Sequence, residues 1–233
     1  MSAIIYLLPT VLSHEQTGCL PPYIIEAVKT CNVFFVENER TARRHLKLLW
    51  KDMPIDNFTW FTIQDGQVEI RKAFEAEIRA GKTIGIMSEA GCPGVADPGQ
   101  YLVSIAQSMG AKVRPLVGPN SLLLALMASG MNGQQFQFHG YLPIAQAERV
   151  KAVKSLESES KQRGSTHIFI ETPYRNNQLF ETIVKSCAPA TRLCIAVDLT
   201  APTEMITTRA IKDWMGAMPN LHKRPAIFLL QAT

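Results

Sequence analysis

The chain has 233 residues, 46% of them hydrophobic, with a formal net charge of +4 and a pI near 8.8. That length suits one large domain or two of roughly 110 residues, and the apolar fraction suffices for a real core. The mild basic excess permits a nucleic-acid partner without demanding one, and the five cysteines Cys19, Cys31, Cys92, Cys187 and Cys194 include no CxxC pair, which argues against a disulfide framework or a zinc site.

The amino-terminal run Ile4, Ile5, Tyr6, Leu7, Leu8 follows Met1-Ser2-Ala3 with no basic segment and stops too soon for a secretion signal. Residues 4–8 predict a buried strand. Pro22 opens a helix with Ile24, Ile25, Val28 and Cys31 on one side. A second strand covers Val33–Val36, a helix capped by Thr41 runs to Trp50, and residues 58–61 form a short third strand. Ile70, Phe74 and Ile78 mark a helix ending at Gly81. Thr83–Met87 is a fourth strand, Tyr101, Leu102, Ile105, Ala106 and Met109 a helix, and residues 112–116 a fifth strand. This alternation predicts a parallel sheet in an α/β domain, with a boundary near Val117 dividing the chain into 1–117 and 118–233.

Beyond the boundary, residues 119–129 are apolar on all sides and predict a buried helix. Phe136–Tyr141 reads as a strand, and the charged stretch 146–163 as an exposed helix. Further strands are expected at 167–170, 193–197, 205–209 and 226–230, with a helix over 173–186 and another around Trp214. No stretch approaches the roughly 18 apolar residues of a membrane helix, and free thiols fit a reducing compartment, so a cytoplasmic protein is expected.

Four loops carry chemistry. The segment Ser88-Glu89-Ala90-Gly91-Cys92-Pro93-Gly94-Val95-Ala96-Asp97-Pro98-Gly99 follows the fourth strand and precedes a helix. Ligands of parallel sheets bind beyond the carboxyl ends of strands, and permissive backbone at such an end suits close approach of a ligand. No Lys or Arg lies between Lys82 and Lys112, so this acidic loop fits a ligand with an amine and a sulfonium better than a phosphate. The second loop, Val117-Gly118-Pro119-Asn120-Ser121, follows the fifth strand, with Asn120 or Ser121 able to cap a helix. The third, Glu37-Asn38-Glu39-Arg40, ends the second strand; the helix behind it carries Arg40, Arg44, Lys47 and Lys51 on one face, a seat for RNA phosphates or simply a solvated face. The fourth is Glu171-Thr172-Pro173-Tyr174-Arg175. Capping accounts for Thr172 and Pro173 and leaves Glu171, Tyr174 and Arg175 without a structural reason. Gly81-Lys82-Thr83 lacks the first glycine of a P-loop and precedes a strand instead of following one. The histidines His14, His45, His139, His167 and His222 show no ligand spacing, so no metal is expected.

Together these loops resemble the tetrapyrrole methylase superfamily, in particular its ribosomal small-subunit methyltransferase I branch, which methylates a cytidine ribose 2′-hydroxyl in small-subunit ribosomal RNA. The matching stretches are Tyr6-Leu7-Leu8-Pro9-Thr10, Glu37 to Arg40, Ser88 to Gly99, Gly118 to Ser121, Gly140-Tyr141-Leu142-Pro143 and Glu171 to Arg175, in family order. The resemblance implies the two-domain, class III α/β fold of these methyltransferases, with S-adenosylmethionine (SAM) in a cleft between the domains, and a homodimer. It places Pro9, Ser88, Glu89, Ala90, Gly91, Cys92, Pro93, Val95 and Asp97 at the cofactor, followed by Gly118, Pro119, Asn120, Ser121 and Leu122. From the second domain it adds Phe138, Gly140, Tyr141, Leu142, Pro225 and Ala226. Glu171, Glu37 and Glu39 are the candidate bases, and Arg40 the candidate contact to the acceptor. The sequence departs from the branch at Ser13-His14, where Gly-Asn is usual, at Asn38-Glu39 in place of Asp-Thr, at Glu89 in place of Asp, and around Gly118; it also lacks the usual carboxyl-terminal extension. These departures touch the RNA substrate more than SAM, and leave open a tetrapyrrole-carbon methyltransferase or a catalytically silent paralogue.

Overall fold

In the computed structural model, residues 3–13, 16–64 and 66–232 are described, so Met1, Ser2 and His14 lie outside the described residues. The chain divides into two compact units, residues 1–120 and 121–233.

The first unit is an all-parallel five-stranded sheet. Its strands are β1 (Ile4–Leu7), β2 (Val33–Val36), β3 (Thr59–Thr62), β4 (Thr83–Met87) and β5 (Lys112–Pro115), in the order β3-β2-β4-β1-β5. Parallel sheets are covered on both faces, so their central strands are apolar without interruption. In β2 all four residues are buried. Val33 and Phe35 enter one core with Ile5, Phe74, Ile84, Ile86 and Leu102. Phe34 and Val36 point the other way, among Leu8, Ile24, Val28, Leu46 and Met87. The first core packs α3 (Gln67–Arg79) and α4 (Gly99–Ser108); the second packs α1 (Tyr23–Thr30) and α2 (Glu39–Leu49). Each buried Phe contributes about 1.5–3 kcal/mol. Gly85 in β4 is fixed by this packing: a Cβ there would lie 2.7 Å from the Phe34 ring and 2.8 Å from Leu8.

Thr41 does not start α2, because Asn38 does so three residues earlier. The Asn38 side chain accepts the Thr41 N–H at 3.2 Å from an extended backbone, the geometry of an N-cap.

The second unit has a mixed sheet of β6 (Phe136–Tyr141), β7 (Thr166–Ile170), β8 (Arg192–Val197), β9 (Met205–Ala210) and β10 (Ala226–Gln231), in the order β6-β7-β10-β8-β9. Only β6–β7 is parallel; the other three pairings are antiparallel. Its helices are α5 (Ser121–Ser129), α6 (Gln146–Arg163), α7 (Asn176–Ser186) and the short α8 (Ile211–Trp214).

Three expectations are corrected here. The charged helix α6 is not exposed throughout: Arg149, Val153, Leu156 and Ser160 bury one stripe at helical spacing, and Arg149 satisfies its guanidinium on Thr182 Oγ1 (3.2 Å) and the Ile144 carbonyl (3.1 Å). The apolar helix α5 is not buried all round, since Leu123 and Met127 are 49% and 79% exposed. Finally, α7 begins at Asn176 without a side-chain cap, so Thr172 and Pro173 do not open it.

Candidate functional site

The carboxyl ends of β1, β4 and β5 are adjacent in the first sheet, and the chain leaves all three through tight loops. Thr10 bridges to Gly91, its N–H donating to the Gly91 carbonyl at 2.9 Å. Gly91 and Gly94 have φ of +76° and +86°, a left-handed backbone that L side chains rarely adopt. The Asp97 carboxylate closes the loop by accepting the Gly94 N–H at 2.9 Å and the Gly99 N–H at 2.6 Å. Burial pushes its pKa up, the two N–H donors pull it back, and the nearby Glu37 charge adds to the rise.

The β5 loop closes against the same place. The Cys92 thiol faces the Pro119 carbonyl at 3.4 Å, and the Val117 N–H donates to the Tyr23 hydroxyl at 2.8 Å. A Cβ on Gly118 would stand 2.1 Å from Pro9 Cβ, so the β1 and β5 loops touch through a residue that has no side chain. The first unit thus brings together Pro9, the 88–99 loop, Gly118 and Pro119. Asn120 ends this unit, while Ser121 and Leu122 open the second.

Glu37 joins this cluster: its Oε2 accepts the Glu89 N–H at 3.0 Å. Glu39 does not. It is turned along α2 onto Arg43 at 2.8 Å, and Arg43 also pairs with Asp56 and lies over the Trp60 ring. Arg40 and Arg44 are exposed, with no carboxylate partner among the described residues, and Lys47 and Lys51 continue the same exposed face.

In the second unit the Glu171 side chain is fully buried. Its Oε1 accepts from the Thr172 N–H (2.7 Å) and from Arg175 Nε (3.0 Å) and Nη2 (2.7 Å), while its Oε2 has no partner. This explains the polar residues that capping left over: Arg175 neutralises a buried carboxylate. Tyr174 is 71% exposed. Phe138, Gly140 and Tyr141 lie on β6, Leu142 is buried just after it, and Pro225 and Ala226 stand at the start of β10.

Sequence spacing passes over two features. A cleft of about 350 Å³ opens between the loop after β1, helix α2 and residues 88–90, lined among others by Thr10, Leu12, Arg44, His45, Leu48 and Glu89. His45 is 7% exposed and its buried Nε2 has no partner among the described residues; burial brings its pKa down to about 4, partly offset by the Pro9 carbonyl. The other is a pair of imidazoles, His139 Nε2 to His167 Nδ1 at 2.7 Å, with His167 Nε2 on Ser165 Oγ at 3.1 Å. The only local signal for His45 is its place in the helical stripe with Ala42 and Leu46, which reads equally as core. Among the described residues no group of three or more His, Cys, Asp or Glu could hold a metal, and no helix is long and apolar enough to cross a membrane.

The family profile of tetrapyrrole (corrin/porphyrin) methylases matches residues 19–213. A ribosomal RNA small subunit methyltransferase I of Buchnera aphidicola subsp. Schizaphis graminum is 25% identical over 98% of this chain and 78% of its own length. Its counterpart in Escherichia coli O157:H7 is 26% identical over 97% and 77%. Among solved structures, a uroporphyrin-III C-methyltransferase from Thermus thermophilus complexed with S-adenosyl homocysteine superposes with a TM-score of 0.56, over 99% of this chain and 97% of that one. At 14% identity that likeness speaks to the fold.

Proposed function

The chain belongs to the tetrapyrrole methylase family and is a SAM-dependent methyltransferase, and from that premise we propose that its acceptor is a cytidine ribose 2′-hydroxyl in small-subunit ribosomal RNA. The observation that carries this reading is the basic face of α2. Arg40, Arg44 and Lys47 are exposed on the helix that leaves the strand end where Glu37 holds the 88–99 loop, and Lys51 is exposed in the turn just after it. Exposed cations with no carboxylate partner among the described residues suit a phosphate backbone. The relatives named as ribosomal RNA methyltransferases, matched along nearly the whole chain, support the same acceptor.

The strand-end loops of the first unit fit the donor. Their carboxylates, Glu37, Glu89 and Asp97, suit its cationic groups, and Gly118 against Pro9 leaves a seat that any Cβ would fill. We assign Pro9, Ser88, Glu89, Ala90, Gly91, Cys92, Pro93, Val95, Asp97, Gly118, Pro119 and Asn120 to holding SAM. When bound, SAM supplies an electrophilic methyl group together with its own leaving group. The chain's own task is then to position the acceptor and to take up the hydroxyl proton, the first being the larger effect.

Two carboxylates are placed for the proton. Glu37 lies beside the donor loop, with one oxygen committed to Glu89 N–H. Glu171 keeps a buried Oε2 with no partner among the described residues, while its Oε1 is committed to Arg175 and the Thr172 N–H. Glu39 is spent on Arg43. We further read the protein as a cytoplasmic homodimer, the exposed Leu123 and Met127 of α5 offering an apolar face; light scattering on the purified chain tests that.

The functional test is nucleoside mass spectrometry of ribosomal RNA from cells with and without the gene. Loss of one 2′-O-methylcytidine from small-subunit RNA, restored by the wild-type gene, is the expected result. An unchanged profile in cells shown to have no redundant enzyme rejects the acceptor and moves the search to tetrapyrroles with labelled SAM.

A further inference from the structure

The 350 Å³ cleft beside α2 has a chemistry of its own. It lies at the small end of ligand cavities, about 300–1,000 Å³, with room for a nucleoside and too little for a tetrapyrrole macrocycle. Its sides include the apolar Leu12 and Leu48, which can flank a flat ring. His45 lines the cleft with an imidazole more than nine-tenths buried. Burial keeps this imidazole neutral at physiological pH, so it adds no charge to the cleft. The two remaining charged groups lie further out. Glu89 has an exposed carboxylate whose own backbone N–H is tied down by Glu37, and Arg44 has an exposed guanidinium without a carboxylate partner among the described residues.

An apolar slot, a carboxylate on its wall and a cation at its edge match one nucleotide whose base carries an exocyclic amine. Carboxylates accept from the cytosine amine, and Arg suits the phosphate. Uracil offers a carbonyl where the amine would be and would meet the carboxylate acceptor to acceptor. Enzymes that modify a nucleotide commonly take it out of its stack into such a cavity. The Ser88–Ala90 turn is both part of this cleft and part of the loop assigned to the donor, which would set the two reactants side by side.

We propose that this cleft is the acceptor subsite, receiving the target cytosine between Leu12 and Leu48 with Glu89 on its polar edge and Arg44 at the adjoining phosphate. The assignment rests on the RNA reading given above.

The test titrates cytidine and uridine 5′-monophosphate onto the full-length protein with SAM present, followed by ligand-observed NMR, and measures SAM affinity separately by calorimetry. Cytidine monophosphate should bind more tightly than the uridine analogue by roughly fivefold or more. Leu48→Trp fills the slot from a half-exposed position, so the fold is not at risk. It should weaken cytidine monophosphate by roughly tenfold with SAM affinity and melting temperature unchanged. Glu89→Gln should narrow the preference between the two nucleotides, and Arg44→Ala should weaken both and flatten their salt dependence. Failure of wild-type protein to bind cytidine monophosphate at millimolar concentration, or equal binding by Leu48→Trp, overturns the subsite. The two readings separate in cells. Normal ribosomal RNA methylation by Leu48→Trp removes the subsite and leaves the RNA acceptor standing, whereas nucleotide binding that responds to the variants, with no RNA methylation by the wild type, does the reverse.

Discussion

Replacing Gly118 by alanine tests whether the β1 and β5 loops must touch. The new Cβ would sit 2.1 Å from Pro9 Cβ and 2.6 Å from Pro9 Cγ, where carbon atoms pack at about 3.5–4.0 Å. Relief needs a separation of about 1.5 Å, and neither side yields easily. Pro9 is a rigid ring whose neighbours Leu8 and Thr10 are tied to Ile86 and Gly91, and the segment around Gly118 is held by Tyr23 and Cys92. Overpacking of this kind costs about 1–3 kcal/mol, which in a chain of this size is a fall of roughly 2–10 °C in melting temperature. The seat assigned to SAM opens at the same time, so SAM affinity should drop by roughly tenfold or more. Gly133→Ala is the control, since a Cβ there meets nothing within 4 Å. Gly110→Ala is also uncrowded but has φ +68°, and should cost about 1 kcal/mol of strain with no effect on SAM. Differential scanning calorimetry and titration calorimetry with SAM read all three. A Gly118→Ala protein that melts with Gly133→Ala and binds SAM as the wild type does would refute the argument.

Asp97→Ala should lower SAM affinity and stability together, because it leaves the N–H groups of Gly94 and Gly99 without their acceptor, at about 1–3 kcal/mol; calorimetry reads both, and an effect on neither would show that the loop holds itself. Arg175→Ala strands a fully buried carboxylate. Because Arg175 is itself about a third exposed, the loss should be about 2–3 kcal/mol, below the 3–5 kcal/mol of wholly buried pairs. Arg175→Ala combined with Glu171→Gln should recover much of it in urea unfolding, and no recovery would mean that the arginine acts through packing alone. Glu171→Gln alone should preserve SAM binding, and unchanged turnover in that variant would remove Glu171 as the base. The buried His45 has a pKa lowered from 6.5 to about 4. A histidine held neutral in the fold contributes its full stability above the unfolded pKa and loses it as pH falls towards the folded one. His45 should therefore cost about 3 kcal/mol between pH 6.5 and 4, and His139 and His167, also lowered by burial, act in the same direction. His45→Phe should flatten the decline of the urea midpoint over that range; an identical decline would reject the assignment.

The first sheet was legible because its central strands β1, β2 and β4 are short apolar runs broken by helices of regular period, and burial on both faces makes such runs unmistakable. Phe34 and Phe35 show the rule and its limit. Both were plainly core, but nothing in the order of letters says that one meets α1 and α2 while its neighbour meets α3 and α4. Strand direction in the second unit was equally hidden, since an apolar run such as β8 or β10 reads the same in either orientation. Helix ends failed where two residues compete for one role. Asn38 and Thr41 can each cap, and the choice falls to the residue whose backbone is extended; Thr172 looks like a cap, but α7 begins only at Asn176.

The site divides along the same line. The loop from Ser88 to Gly99 was conspicuous because its glycines, prolines and carboxylates are contiguous, and the structure adds the reason for them: two left-handed turns pinned by one aspartate. The cleft was not conspicuous, because Leu12, His45 and Glu89 come from three separate segments, and each alone has an ordinary explanation. What brings them together is the sheet order β2-β4-β1, which sets the loops after β1 and β4 and the helix after β2 side by side. A residue such as His45 then becomes informative through its surroundings. In the stripe with Ala42 and Leu46 its ring reads as core, and only the fold shows that the same ring also borders the cleft beside Leu12, Leu48 and Glu89.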